Sequence, residues 1–126
     1  PVLFKIYGCK TIEEFREFCL SFKGVQEKFP FDNSTLVFYV MDKMFCLVNV
    51  DMFEYTNLKC DPIEAEELRG DFFGIKPGYH MNKKHWNSVY FNEDVPNETI
   101  KKMVVNSYNL VVSGLNKKNK EILKLL

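Results

Sequence analysis

The sequence predicts an α+β domain in which an antiparallel sheet of about four strands carries three helices on one face. Three observations predict it. Segments of helical and of two-residue periodicity follow one another as helix, three strands, helix, strand, helix, an order suited to antiparallel pairing. The strand-like segments alternate, so that one sheet face is apolar and the other mixed. The 126 residues, 46% apolar and rich in Phe and Tyr, suffice for one hydrophobic core but not for two domains.

Thr11 followed by Glu14 is a capping-box signal, and Ile12, Phe15, Phe18, Cys19 and Phe22 recur at helical spacing up to Gly24. Phe29-Pro-Phe-Asp-Asn33 breaks the pattern. Thr35–Met41 and Met44–Val50 are then rich in Leu, Val and Phe and separated by Asp42-Lys43, which reads as a β-hairpin. Tyr55–Cys60 is a third strand. Asp61, Pro62 and Glu64 supply an N-cap, a first-turn proline and a capping carboxylate for a second helix that should run to about Arg69.

Gly70 to Lys84 holds three glycines and the pair Pro77-Gly78, suited to a type II turn, and is expected to be a long, shaped loop. His85–Phe91 alternates as a fourth strand. Pro96 opens a third helix with Ile100, Met103, Val104, Ser107, Tyr108, Val111 and Leu115 on one stripe and Gly114 at its end. The tail from Asn116 carries four lysines and one glutamate and reads as a frayed or docked amphipathic turn. Alternation turns Leu36, Phe38, Val40, Val89 and Phe91 toward the helices, and Tyr39, Lys59, Trp86, Ser88 and Tyr90 toward the open face. The register of the second hairpin strand is left open by the pattern.

Cysteines at positions 9, 19, 46 and 60 form no CxxC pair, and three of them sit in apolar patterns, so reduced thiols and a cytoplasmic location are expected. There is no run of 18 apolar residues, and the first ten residues lack the order of a signal peptide, so no membrane association is expected. Net charge is zero, which argues against coating nucleic acid by charge alone. The charge is nevertheless uneven: residues 1–70 carry 8 basic and 12 acidic side chains, residues 71–126 carry 9 and 5.

Thr35-Leu-Val-Phe-Tyr-Val, Lys43-Met-Phe-Cys-Leu, Lys59-Cys-Asp-Pro, Pro77-Gly-Tyr-His-Met-Asn-Lys-Lys-His-Trp and Ser107-Tyr-Asn-Leu-Val, read in order, resemble the MmcQ/YjbR family. The resemblance spans roughly residues 11–115 and implies one domain. It matches the family pattern at Lys43, Lys59, Cys60, Asp61, Pro62, Pro77, Gly78, Tyr79, His80, Asn82, Lys83, His85 and Trp86. Asn87 and Tyr90 stand where many relatives carry a β-branched or basic residue. The resemblance implies a fold similar to a double-wing DNA-binding domain, whence a DNA-binding role, and also similar to secretion chaperones, which bind protein.

Nucleic acid requires cations spaced for phosphates and planar groups on which bases stack. Lys43, Lys59, Lys83 and Lys84 are the candidates for the first and Trp86 and Tyr90 for the second, with Asn82 and His85 as hydrogen-bonding groups. Pro77, Gly78, Tyr79 and His80 would shape the loop. The plainer reading makes the lysines solvated charges and Trp86 packing for the turn. A Cys–His activity at Cys60, ahead of a helix start, is weighed against a buried strand-end cysteine, and no base or oxyanion signature accompanies it. His80-x4-His85 has half a zinc spacing without paired cysteines, and no phosphate-binding glycine motif occurs. The expectation is therefore a non-enzymatic binding protein without metal or cofactor, monomeric or weakly dimeric. Its partner is DNA or, alternatively, another protein docked on the open sheet face.

Overall fold

A computed structural model describes residues 11–126 of the chain. Helix α1 (Ile12–Leu20) starts as the capping box requires, with the Thr11 hydroxyl oxygen accepting from the Glu14 N–H at 3.2 Å. It stops short of Gly24, where a positive φ of 73° turns the chain into strand β1 (Val25–Lys28). With one apolar residue in four, β1 has no strand signature of its own. It exists because it pairs with β2 (Thr35–Val40), and an ion pair between Arg16 and Glu27 ties it to α1.

Strands β2 and β3 (Lys43–Asn49) form the expected hairpin, but the turn is Met41-Asp42 and not Asp42-Lys43. Both turn residues have positive φ, 48° and 63°, the type I′ geometry that matches strand twist, and Lys43 pairs with Val40 instead of turning. Phe38 lies opposite Cys46 and Tyr39 opposite Met44, so Phe45 is an extra residue in a β-bulge. This explains why simple alternation leaves the register of β3 open: Phe45 and Cys46, adjacent in sequence, both enter the core.

β4 (Tyr55–Lys59) continues the sheet, and α2 (Pro62–Asp71) starts where Asp61 accepts from the Ile63 and Glu64 N–H groups. β5 (Ile75–Pro77) and β6 (Trp86–Tyr90) complete a sheet of order β1-β2-β3-β4-β6-β5, antiparallel throughout. The described residues thus contain six strands where four were expected, β1 and β5 being the short edge strands. Helix α3 (Asn97–Ser113) crosses β2 to β4. The tail, expected as a turn, is a fourth helix, α4 (Lys117–Lys124), capped by Asn116 and anchored by buried Leu123.

The core lies between the helices and one sheet face, with Phe15, Phe38, Phe45, Ile100 and Val104 fully buried. At ~25 cal/mol per Å² of apolar surface, side chains of this size contribute roughly 1.5–3 kcal/mol each. Ser107 is the polar exception. Its hydroxyl donates to the Phe45 carbonyl and accepts from the Lys59 N–H at 2.8 Å, bridging two backbone groups just beyond Cys46–Leu58, where the β3–β4 pairing ends.

Candidate binding cleft on the open sheet face

The face turned away from the helices carries Val37 opposite Leu47, Leu47 opposite Asn57 and Asn57 opposite Ser88, a row running across four strands. Residues 78–85, between β5 and β6, fold back over it. What holds this arm is a set of buried polar contacts. The Gly78 N–H donates to the Trp86 carbonyl at 2.8 Å, the Tyr79 N–H to the Ser88 hydroxyl at 2.9 Å, and the Asn57 amide to the Tyr79 carbonyl at 3.0 Å. The Ser88 hydroxyl in turn donates to Asn57 Oδ1. Every polar atom in this set therefore has a partner, which orders the arm with little conformational freedom.

Gly78 has no positive φ, so the expected type II turn at Pro77-Gly78 is not formed. Pro77 ends β5 instead, and the left-handed residue is His80, at φ 60°. Glycine is required at 78 for another reason: a Cβ there would lie 2.8 Å from the Trp86 Cβ and 3.0 Å from its carbonyl oxygen. The loop-shaping role is thus kept, by close approach and not by backbone freedom.

Several expected contacts for nucleic acid are occupied elsewhere. Trp86 does sit on the open face, but it is only 9% exposed, packed with Val37, Leu47 and Met81 under the arm. It is a wedge and offers no stacking surface. Lys83 donates its ammonium to the Gly78 carbonyl at 2.8 Å. Lys43, opposite Val40, lies on the helix side of the sheet. Asn82 accepts from the Lys84 and His85 N–H groups and so shapes the arm. Lys84 and His85 are exposed, Lys59 and Tyr90 half-buried, and the Tyr90 ring leans on Tyr55. The four lysines do not converge.

What the arm and the sheet enclose between them is a cleft of about 330 Å³. Leu47 and Asn57 form its floor, Met44 and Met81 one side, and Tyr55, Tyr79 and His80 the other. Phe31, Thr35 and Asn49 close the far end. The rings meet at an angle: Tyr55 and Tyr79 are 6.1 Å apart at 85°, and His80 lies 4.0 Å from Tyr79. Burial, and then the neighbouring Tyr90, Tyr79 and Glu54, hold the Tyr55 hydroxyl above its ordinary pKa, so it is a neutral donor at physiological pH.

Apart from Tyr79 and His80, the residues lining this cleft were not among the candidate site residues of the sequence. Asn57 carried a usable signal, an amide in the middle of a strand, where once buried it must be satisfied by a specific partner. Arg69 carried none, yet it orders the arm by donating to Asn87 Oδ1 at 2.8 Å and to the Lys83 carbonyl.

At Cys60, burial and the nearby Glu64 and Asp61 push the thiol up to about 11. Burial, helped by the acidic neighbours, thus keeps the thiol protonated, the reverse of what a nucleophilic cysteine needs. Among the described residues, no group of three or more His, Cys, Asp or Glu side chains comes together in a way that could hold a metal ion. No helix among them is long and apolar enough to cross a membrane.

The YjbR family model matches residues 20–110. The chain is 36% identical over 110 residues to the uncharacterised protein YbdF of Escherichia coli O157:H7, covering 86% of this chain and 90% of that one. It is 30% identical over 114 residues to YjbR of Escherichia coli K12, covering 90% and 97%. A crystal structure from Deinococcus radiodurans, of domain family DUF419, superposes with a TM-score of 0.84 at 37% identity over 90% of this chain and 88% of that one. A Pseudomonas syringae protein gives 0.67 at 25% identity, over 79% and 97%. Sequence motifs, family model and superposed fold agree over most of the chain, which belongs to the YjbR family.

Proposed function

We propose that this protein is a non-enzymatic binding module whose working surface is the cleft between the open sheet face and the arm at residues 78–85, and that its ligand is a segment of another protein. One observation carries the reading. A cleft of about 330 Å³, walled mainly by apolar and aromatic side chains with a few fixed amides and hydroxyls, has the size and chemistry of a recognition site. Its polar floor is already internally satisfied, which suits binding through shape and ring contact more than through chemistry on a substrate. The high pKa of the Cys60 thiol supports the same view.

DNA is the second reading, favoured by exposed Lys84 and His85 beside half-buried Lys59 at the Trp86 end of the sheet. It has lost two of its four expected phosphate contacts and its expected stacking indole. A titration of isotopically labelled protein separates the two. Short peptides should move the amide signals of Leu47, Asn57 and residues 79–81 and lose far less affinity between low and physiological salt than a nucleic acid would. Saturable shifts with duplex or single-stranded DNA at Lys59 and Lys84, lost steeply with salt and accompanied by a silent cleft, would overturn the proposal in favour of nucleic acid.

A further inference from the structure

We infer that the cleft selects a cationic side chain, an arginine presented by an extended segment of a partner protein. The inference rests on the binding role proposed above and names the chemistry of the ligand. Two features of the cleft point to it. The first is the wall: Tyr55 and Tyr79 meet as a corner of two ring faces, with Phe31 exposed at the far end. A guanidinium is planar, weakly hydrated and attracted to the negative face of an aromatic ring, so it can lie against either tyrosine while its stem covers Leu47 and Met44. Lysine, a compact and strongly hydrated charge, fits a corner of flat faces less well.

The second feature is charge. No lysine or arginine lines the cleft. Carboxylates stand at its far end, each joined to a lining residue. The Asp32 carboxylate accepts from the Thr35 N–H at 2.6 Å and from the Thr35 hydroxyl at 3.1 Å, and the Asp51 N–H donates to Asn49 Oδ1 at 2.9 Å. The Ser34 hydroxyl holds Asp51 in place. Lys83, on the arm itself, has its ammonium on the carbonyls of Gly78 and Met81. An acidic mouth over an aromatic corner repels phosphate and an acidic peptide and attracts a guanidinium. This separates the cleft from the Lys59–Lys84 end of the same face, where the charge has the opposite sign.

The test uses three capped peptides of equal length, identical except for one central residue: arginine, norleucine or glutamate. Binding is followed through the amides of Leu47, Asn57 and residues 79–81. The arginine peptide should bind about tenfold more tightly than the norleucine peptide, the size expected of a partly desolvated cation–π contact, and the glutamate peptide least. Tyr79→Leu keeps apolar bulk and removes the ring, and should bring arginine down to the norleucine level. Asp32→Asn with Asp51→Asn should weaken the arginine peptide severalfold and leave norleucine unchanged. If norleucine equals or exceeds arginine in the wild-type cleft, the cationic preference is wrong while the binding role stands. If no peptide moves these amides and DNA does, both fall.

Discussion

Replacing Gly78 by alanine tests the feature on which the whole cleft depends, the seating of the arm on the sheet. The added Cβ would lie 2.8 Å from the Trp86 Cβ, whereas ordinary contact begins at 3.4 Å, so one of the two must retreat by at least 0.6 Å. Trp86 has little room to move, being 9% exposed and packed in the cluster that holds Leu47 and Met81. The arm must therefore lift, stretching the hydrogen bond from Gly78 to the Trp86 carbonyl and those that follow it. Overpacking of this kind costs about 1–3 kcal/mol. With a urea dependence of about 1–1.5 kcal/mol per molar, the unfolding midpoint should drop by roughly 0.7–3 M at constant slope. Trp86 is the sole tryptophan, so its emission should also shift to the red in the folded variant as the indole is wetted. Gly70→Ala is the control: nothing lies within 4 Å of its Cβ position, and in helix α2 alanine should stabilise by about 0.5–1 kcal/mol. Should Gly78→Ala prove as harmless as Gly70→Ala, with unchanged emission, close approach is not what that glycine provides.

Three further outcomes follow from the same geometry. Ser107→Ala removes one hydroxyl but orphans both the Phe45 carbonyl and the Lys59 N–H, so chemical denaturation should show a loss of about 2–4 kcal/mol; a loss under 0.5 kcal/mol would mean that water or a ladder shift replaces the bridge. Asp94 accepts from the Phe73 and Gly74 N–H groups at 2.7 Å, which holds its carboxyl below the ordinary range. Because the folded-state pKa is the lower one, the stabilisation is complete above the unfolded value of about 3.9 and disappears as pH falls through the folded value. Acid titration of Asp94→Asn should therefore show a flatter loss of stability below about pH 4 than wild type, and parallel curves would refute the assignment. Finally, a Cys60 thiol near 11 is about one-thousandth ionised at pH 8, so alkylation read by mass spectrometry should be far slower in folded than in denatured protein. Equal rates would restore the reactive cysteine.

Several elements were legible in the chain because their causes are local. The Thr11 and Asp61 caps, the stripe of α3 and the alternation of β2 and β6 all arise from residues within a few positions of one another. The family motifs likewise identify the chain, since they record the residues around these elements. What local pattern does not contain is pairing. Strand β1 is strand-like only against β2, and β5 only against β6, so neither has the alternation that would announce it. The bulge at Phe45 hides the register of β3 from any two-residue rule.

The site divides in the same way. The sequence by itself determined that residues 77–86 form a shaped segment, because glycine, proline and a lone tryptophan are concentrated there, and it placed Trp86, Ser88 and Tyr90 on the open face. Only the tertiary structure decided what that segment does. A lysine is written the same way whether its ammonium meets solvent or, as at Lys83, the Gly78 carbonyl, and an aromatic residue the same way whether it is a platform or, as at Trp86, a wedge. The cleft itself gathers Phe31, Leu47, Tyr55 and Tyr79 from two strands and two loops. Their proximity is set by register across the sheet and by the polar anchoring of the arm, and both depend on contacts between residues far apart in the chain.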